Sequence, residues 1–172
     1  MRAIVIYESM FGSTHRIAEA VAEALGRSGE TTLVAAGEVT DEEMAGVDLL
    51  VVGAPTHAHR LPTHESRLEA EGKADQHDEL DLDPAWSEPG VRELLDRIGT
   101  AHAPSVAAFD TRVDVPTFIS GRASKHLARE LKHRGCRIVG EASFLVDRHE
   151  HLVGGEVERA AEWASALVPA LT

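Results

Sequence analysis

The octapeptide Tyr7-Glu8-Ser9-Met10-Phe11-Gly12-Ser13-Thr14 holds two serines, a glycine and a threonine between an apolar run and an amphipathic segment. Between Ser9 and Thr14 there is no acid and no lysine, so the loop suits an anion. The first turn of a helix leaves N–H groups unpaired at the positive end of its dipole, which makes it a seat for phosphate. Ser9, Ser13 and Thr14 offer hydroxyl donors, and Gly12 lets the backbone approach without a Cβ in the way. Each hydrogen bond to a charged group contributes roughly 1.5–3 kcal/mol, so about five or six would hold a phosphomonoester without a cation. The same residues also read as an ordinary helix start, with Ser13 or Thr14 as the cap.

The flanking pattern predicts what positions this loop. Ala3 to Tyr7 is short, apolar and rich in β-branched residues, the mark of a buried strand. From His15 to Leu25, the positions of Ile17, Val21 and Leu25 form one helical face. Further strands are expected at Thr31 to Ala36, Leu49 to Ala54, Ser105 to Phe109 and Cys136 to Val146, the last kinked near Gly140 and Glu141. Thr40 with Glu43 spells a capping box for a short helix between the second and third strands. Val91, Leu94, Leu95 and Ile98 give a helical stripe. Two longer helices follow, Gly121 to Arg134 and one after Gly154-Gly155 with Val157, Ala161, Ala164, Val168 and Leu171 on one side.

Strand and helix thus alternate five times, with no repeat and no domain boundary over residues 1–172, which predicts one α/β domain. Right-handed crossovers favour a doubly wound five-stranded parallel sheet in the order 2-1-3-4-5, with helices on both faces. Ligands in such sheets sit at the switch point, flanked here by the loops after strands one and three. The second of these is Pro55-Thr56-His57-Ala58-His59.

Residues 60–90 break the alternation. Between His64 and Asp83 eight acids face only Arg67 and Lys73, which places half of the chain's net charge of −12 there. Thr63 to Ala74 suits a polar helix and Asp78 to Pro89 does not. The segment reads as an acidic surface insertion: a lid, a dimer arm or a partly disordered excursion.

Composition excludes several classes. At 172 residues, 43% hydrophobic and 27% charged, the chain is an ordinary globular protein. Cys136 is the single cysteine, so no internal disulfide forms and a cytoplasmic location is expected. No stretch is long enough for a membrane span, no signal peptide is visible, and the acidic charge argues against nucleic acid. His57-x-His59 with His64, and His149-x-His151, have the spacing of metal ligands on a strand, but no carboxylate cluster completes a site, so no metal is expected. The dinucleotide, P-loop and nucleophile-elbow motifs are all missing, and so is the terminal aspartate of a receiver domain.

Taken together, the first loop, the strand-three loop and Phe109-Asp110-Thr111-Arg112 resemble the flavodoxin family, whose own strand order is the one just given. That family carries a T-x-T-G-x-T loop; Ser9 to Thr14 reads S-M-F-G-S-T, matching at Ser9, Gly12 and Thr14. The resemblance implies an FMN cofactor. Ser9, Met10, Phe11, Gly12, Ser13 and Thr14 would hold its phosphate. Pro55, Thr56, His57, Ala58 and His59 would line one side of the ring, and Asp110, Thr111, Arg112 and on to Asp114 the other. Neither ring-side loop has a Trp or Tyr, so His57, His59, Phe118 or Trp86 would have to stack instead. The strand-three loop also lacks the glycine that helps stabilise one-electron-reduced flavin, which implies weaker FMN binding and a poorly stabilised semiquinone. Arg112 either supports the reduced flavin or pairs with Asp110 or Asp114. The implied function is electron transport between a reductase and an acceptor, with a redox partner protein, basic if it docks on the insertion, and a monomeric or dimeric state. The alternatives are an NAD(P)H-dependent quinone-type reductase and a degenerate module without tight flavin binding.

Overall fold

In a computed structural model that describes residues 1–57, 60–77, 80–87, 89–98 and 105–171, the five apolar runs become five strands. These are β1 (Arg2–Tyr7), β2 (Glu30–Ala35), β3 (Leu49–Pro55), β4 (Ser105–Val113) and β5 (Arg137–Val146). They pair in parallel in the order β2-β1-β3-β4-β5, as the alternation predicts. The helices are α1 (Ser13–Gly26), α2 (Asp41–Met44), α3 (His64–Gln76), α4 (Val91–Leu95), α5 (Thr117–Ser120), α6 (Ala123–His133) and α7 (Glu156–Leu167). A 3-10 turn, Val168–Leu171, closes the described chain.

Alternate side chains of the inner strands feed two cores. Ile4, Ile6, Leu50, Val52 and Val106 pack with Leu94, Leu127 and Leu131 on one face. Val5, Leu49, Val51 and Phe109 pack with Ile17, Val21, Leu25, Ala160 and Ala164 on the other. Both faces of β3 are covered, which is why its sequence is apolar throughout. Burying each Val, Leu or Ile contributes about 1.5–3 kcal/mol, so these runs dominate the stability of the sheet. At Gly53 on β3 a Cβ would lie 2.0 Å from the Phe109 ring, so glycine there is the condition for β3 and β4 to close. The capping box of α2 forms as expected: Thr40 Oγ1 accepts the Glu43 N–H and Glu43 Oε2 accepts the Thr40 N–H.

Four elements differ from the sequence reading. β4 runs on through Asp110-Thr111-Arg112, which the polarity of those residues had marked as a loop. The strand tolerates Asp110 because its buried carboxylate accepts the Ser124 N–H at 2.7 Å and the Ser143 hydroxyl. In β5 the register shifts opposite Val106 and Ala107, leaving Val139 as an extra residue beside the expected kink. The helix expected from Gly121 forms as α6 but starts two residues later, at Ala123, and the short α5 precedes it. On α7, Ala160, Ala164 and Leu167 are the buried stripe, and Val157, Ala161, Val168 and Leu171 flank it half-buried.

The acidic insertion is built into the domain. Leu61, Ser66, Arg67, Ala70, Leu80 and Asp83 are buried. At its heart Arg67, 4% exposed, bonds Glu8 at 2.9 Å and Glu93 at 2.8 Å. Glu8 Oε2 also accepts the Val91 N–H, which ties β1, α3 and α4 to one carboxylate.

Candidate functional site

The chain turns from β1 into α1 at Gly12, whose φ of 85° lies in the left-handed region that glycine adopts freely. Gly12, rather than Ser13 or Thr14, is therefore the N-cap, and it has no side chain to cap the helix. As a result the N–H groups of Ser13, Thr14 and His15 have no acceptor among the described residues. Ser9 Oγ accepts the Gly12 N–H at 3.1 Å, which braces the loop and leaves the hydroxyl's own proton free. Thr14 Oγ1 and Thr111 Oγ1 lie 2.7 Å apart; one donates to the other, so one proton of the pair is also free. Ser13 is different: its hydroxyl donates to the Glu150 carbonyl at 2.5 Å.

These groups line a cavity of about 190 Å³ at the C-terminal end of the sheet, between the β1 and β3 loops. Ser9, Met10, Phe11, Ser13 and Thr14 form one wall, Pro55, Thr56 and His57 another, and Thr111 joins them from β4. The roof is α3, through Ser66, Glu69, Ala70 and Lys73. Lys73 Nζ reaches Glu150 at 2.6 Å, lying 5.3 Å from the Phe11 ring centre, and Glu69 approaches His57 at 3.4 Å. Behind the loop, Asp83 donates its N–H to the Met10 carbonyl and bonds His15, whose ring stacks on Tyr7 at 4.2 Å. Burial, with Asp83 nearby, pushes the Tyr7 phenol up to about 12.

The structure thus gathers Ser9, Met10, Phe11, Ser13, Thr14, Pro55, Thr56, His57 and Thr111 around one space, while Gly12 shapes the turn without lining it. Ala58 and His59 lie outside the described residues. Asp110 and Arg112 do not line the cavity. Asp110, its carboxyl pushed above the ordinary range by burial despite its bond from Ser143, caps α6 together with Thr56, which accepts the Ala123 N–H. Arg112 pairs with neither Asp110 nor Asp114 among the described residues; its guanidinium donates to Ser143 Oγ and to the Val113 and Val115 carbonyls. Phe118 is 81% exposed and Trp86 lies off the cavity, so neither supplies a stacking ring. The sequence offers a lid as one reading of the insertion, but it does not reveal which of its residues face the cavity, nor Glu150. Ser66, Glu69, Ala70 and Lys73 do recur at helical spacing, but this inward face is polar and carries no apolar signal.

A sequence model of the flavodoxin domain family matches residues 4–70, which contain β1, the Gly12 loop, β3 and its exit. Over that part of its length this chain is similar to the flavodoxin family. No curated relative matches its sequence. Among solved structures, oxidised flavodoxin 1 from Bacillus cereus superposes with a TM-score of 0.65 at 17% identity, all of each chain being covered. A flavodoxin from the domain Archaea gives 0.63 at 16% identity, covering 99% of both chains. The WrbA-like flavodoxin of Agrobacterium tumefaciens gives 0.59 at 16% identity, covering 99% of this chain and 96% of that one. At such identities the likeness is one of fold. In this flavodoxin-like fold the cavity sits where the doubly wound order places a ligand, at the switch point between β1 and β3.

Proposed function

We propose that this chain is a member of the flavodoxin family that binds FMN, with the phosphate in the Ser9–Thr14 loop, and serves in electron transfer. The observation that carries this reading is the row of acceptorless amides at Ser13, Thr14 and His15, beginning a helix at the switch point. A phosphate there would receive those N–H groups, the free proton of Ser9 and one from the Thr14–Thr111 pair. The loop itself has no cation, and Lys73 from the roof supplies one at the cavity wall. Pro55, Thr56 and His57 would flank the ring from below and the α3 face from above. When bound, the flavin supplies the redox chemistry, and the protein supplies position and electrostatics.

The cavity is small for a whole flavin, since sites for such ligands span roughly 300–1,000 Å³. Admission of the ring therefore requires the C-terminal half of α3 to lift. Its ties on that side, Lys73–Glu150 and His57–Glu69, are partly exposed ion pairs worth at most about 1 kcal/mol each. The N-terminal half is held by buried Arg67 and stays in place. The carrier function adds a redox partner protein. Exposed acids of the insertion, among them Glu65, Glu71 and Asp75, offer a basic partner its docking charge.

Titration of the purified protein with FMN, followed by quenching of flavin fluorescence, tests the reading. One FMN per chain is expected, with binding lost in Gly12→Asp, which sets a negative charge against the phosphate. Free flavin that stays unquenched at saturating protein overturns it. Oxidation of NAD(P)H by the loaded protein alone would assign the reductase function instead of the carrier.

A further inference from the structure

A second groove, of about 580 Å³, opens between the exit of β3, α4 and the start of α6. Five of the chain's seventeen lysines and arginines meet there, namely Arg60, Arg92, Arg122, Lys125 and Arg129, and no acid lines it among the described residues. The remaining twelve share the chain with twenty-nine acids, so this concentration runs against the charge of the whole. Three of the five, Arg60, Lys125 and Arg129, make no ion pair among the described residues. Arg92 spends its guanidinium on the carbonyls of Leu61 and Pro62 and stays uncompensated. Arg122 pairs with Glu141 at 2.9 Å, yet its Nε is buried without any acceptor. Lys125 and Arg129, four residues apart, stand on a single face of α6, and Arg122 is the residue that caps its start. At the rim stand the Thr117 hydroxyl and the exposed Phe118 ring.

We propose that this groove binds a nucleotide-sized anion carrying two or more phosphate charges beside a planar ring. Clustered guanidinium groups match phosphate oxygens in forked geometry, and the four uncompensated cations repel one another until an anion enters. The concave shape of the groove, about 580 Å³, favours a small ligand over the flat surface of a protein. Phe118 offers an aromatic face on which a base can stack. The assignment is independent of the flavin reading, because none of these residues lines the first cavity.

Isothermal titration of the full chain, with and without saturating FMN, tests it with ADP, inorganic pyrophosphate and adenosine as probes. ADP is expected to bind in low salt whether or not FMN is present. Pyrophosphate should bind more weakly, adenosine should not bind, and high salt should weaken both anions. Arg129→Ala and Lys125→Ala, both at exposed positions, should each weaken ADP by about tenfold, the loss of one charged hydrogen bond. Absence of ADP binding at millimolar concentration overturns the proposal. So does binding that FMN displaces and neither substitution touches, since the ADP would then occupy the Gly12 loop. A decamer of glutamate that binds more tightly than ADP and resists displacement by it would assign the groove to an acidic protein and also overturn the proposal.

Discussion

Replacing Arg67 by alanine isolates what ties the insertion to the sheet. The guanidinium sits between Glu8 at 2.9 Å and Glu93 at 2.8 Å. Glu93 is 43% exposed at its side chain, so after the substitution it rejoins water at a cost of no more than about 1 kcal/mol. Glu8 is 5% exposed and keeps only the Val91 N–H, which leaves Oε1 bare in the interior. Removing one partner of a buried pair costs roughly 3–5 kcal/mol, and the upper part of that range is softened here because Glu8 can take up a proton. Burial already pushes its carboxyl above the ordinary 4.5, against the pull of Val91 and Arg67, and loss of the arginine raises it further. A carboxyl raised on folding holds a proton that the unfolded chain has released, so its contribution is intact below 4.5 and is lost as pH rises through the folded value. The penalty of Arg67→Ala should therefore be about 3 kcal/mol at neutral pH and shrink toward pH 5, by at most about 1.4 kcal/mol per unit. Urea denaturation across that range measures it, and Glu8→Gln combined with Arg67→Met should recover most of the loss. Because Arg67 anchors the roof, FMN affinity should fall as well, contrary to what a peripheral insertion would allow. A neutral-pH penalty below about 1 kcal/mol, or one independent of pH, would refute the reasoning.

Gly53→Ala should cost roughly 1–3 kcal/mol in urea denaturation, because the added methyl meets the Phe109 ring between two packed strands. Lys73→Ala should change stability by less than about 1 kcal/mol yet speed FMN association in stopped-flow quenching, since it frees one tie of the roof. Asp110→Asn should gain on the wild type as pH rises above 3.8. The native carboxyl, raised by burial, costs most when ionised, and the amide has no such ionisation. Paired chemical-denaturation curves at successive pH values would show the difference growing.

The sheet was readable because its strands are apolar and β-branched, a pattern that burial on both faces imposes whatever the neighbours are. The turn from β1 into α1 was readable for a similar reason, since it is made within a few consecutive residues around Gly12. The length of β4 was not. Asp110 looks like a loop residue until Ser124 and Ser143, which satisfy it, come into place from elsewhere in the chain. Nor were the cavity-facing residues of the roof legible. An acidic run looks solvated, and nothing local tells Arg67 that its partner is fifty-nine residues away. For Arg112 the ion-pair alternative fails for the opposite reason: neighbouring aspartates suggested it, whereas the Ser143 hydroxyl and backbone carbonyls hold the guanidinium.

The surplus residue at Val139 has an effect beyond local geometry. β5 is an outer strand, and an outer strand with an even ladder invites another chain to add itself alongside. Here the ladder loses step at the third residue of the strand, with charged Arg137 and Glu141 on either side of the break. A would-be recruit meets a bent and charged margin, and this flank of the molecule is closed to growth.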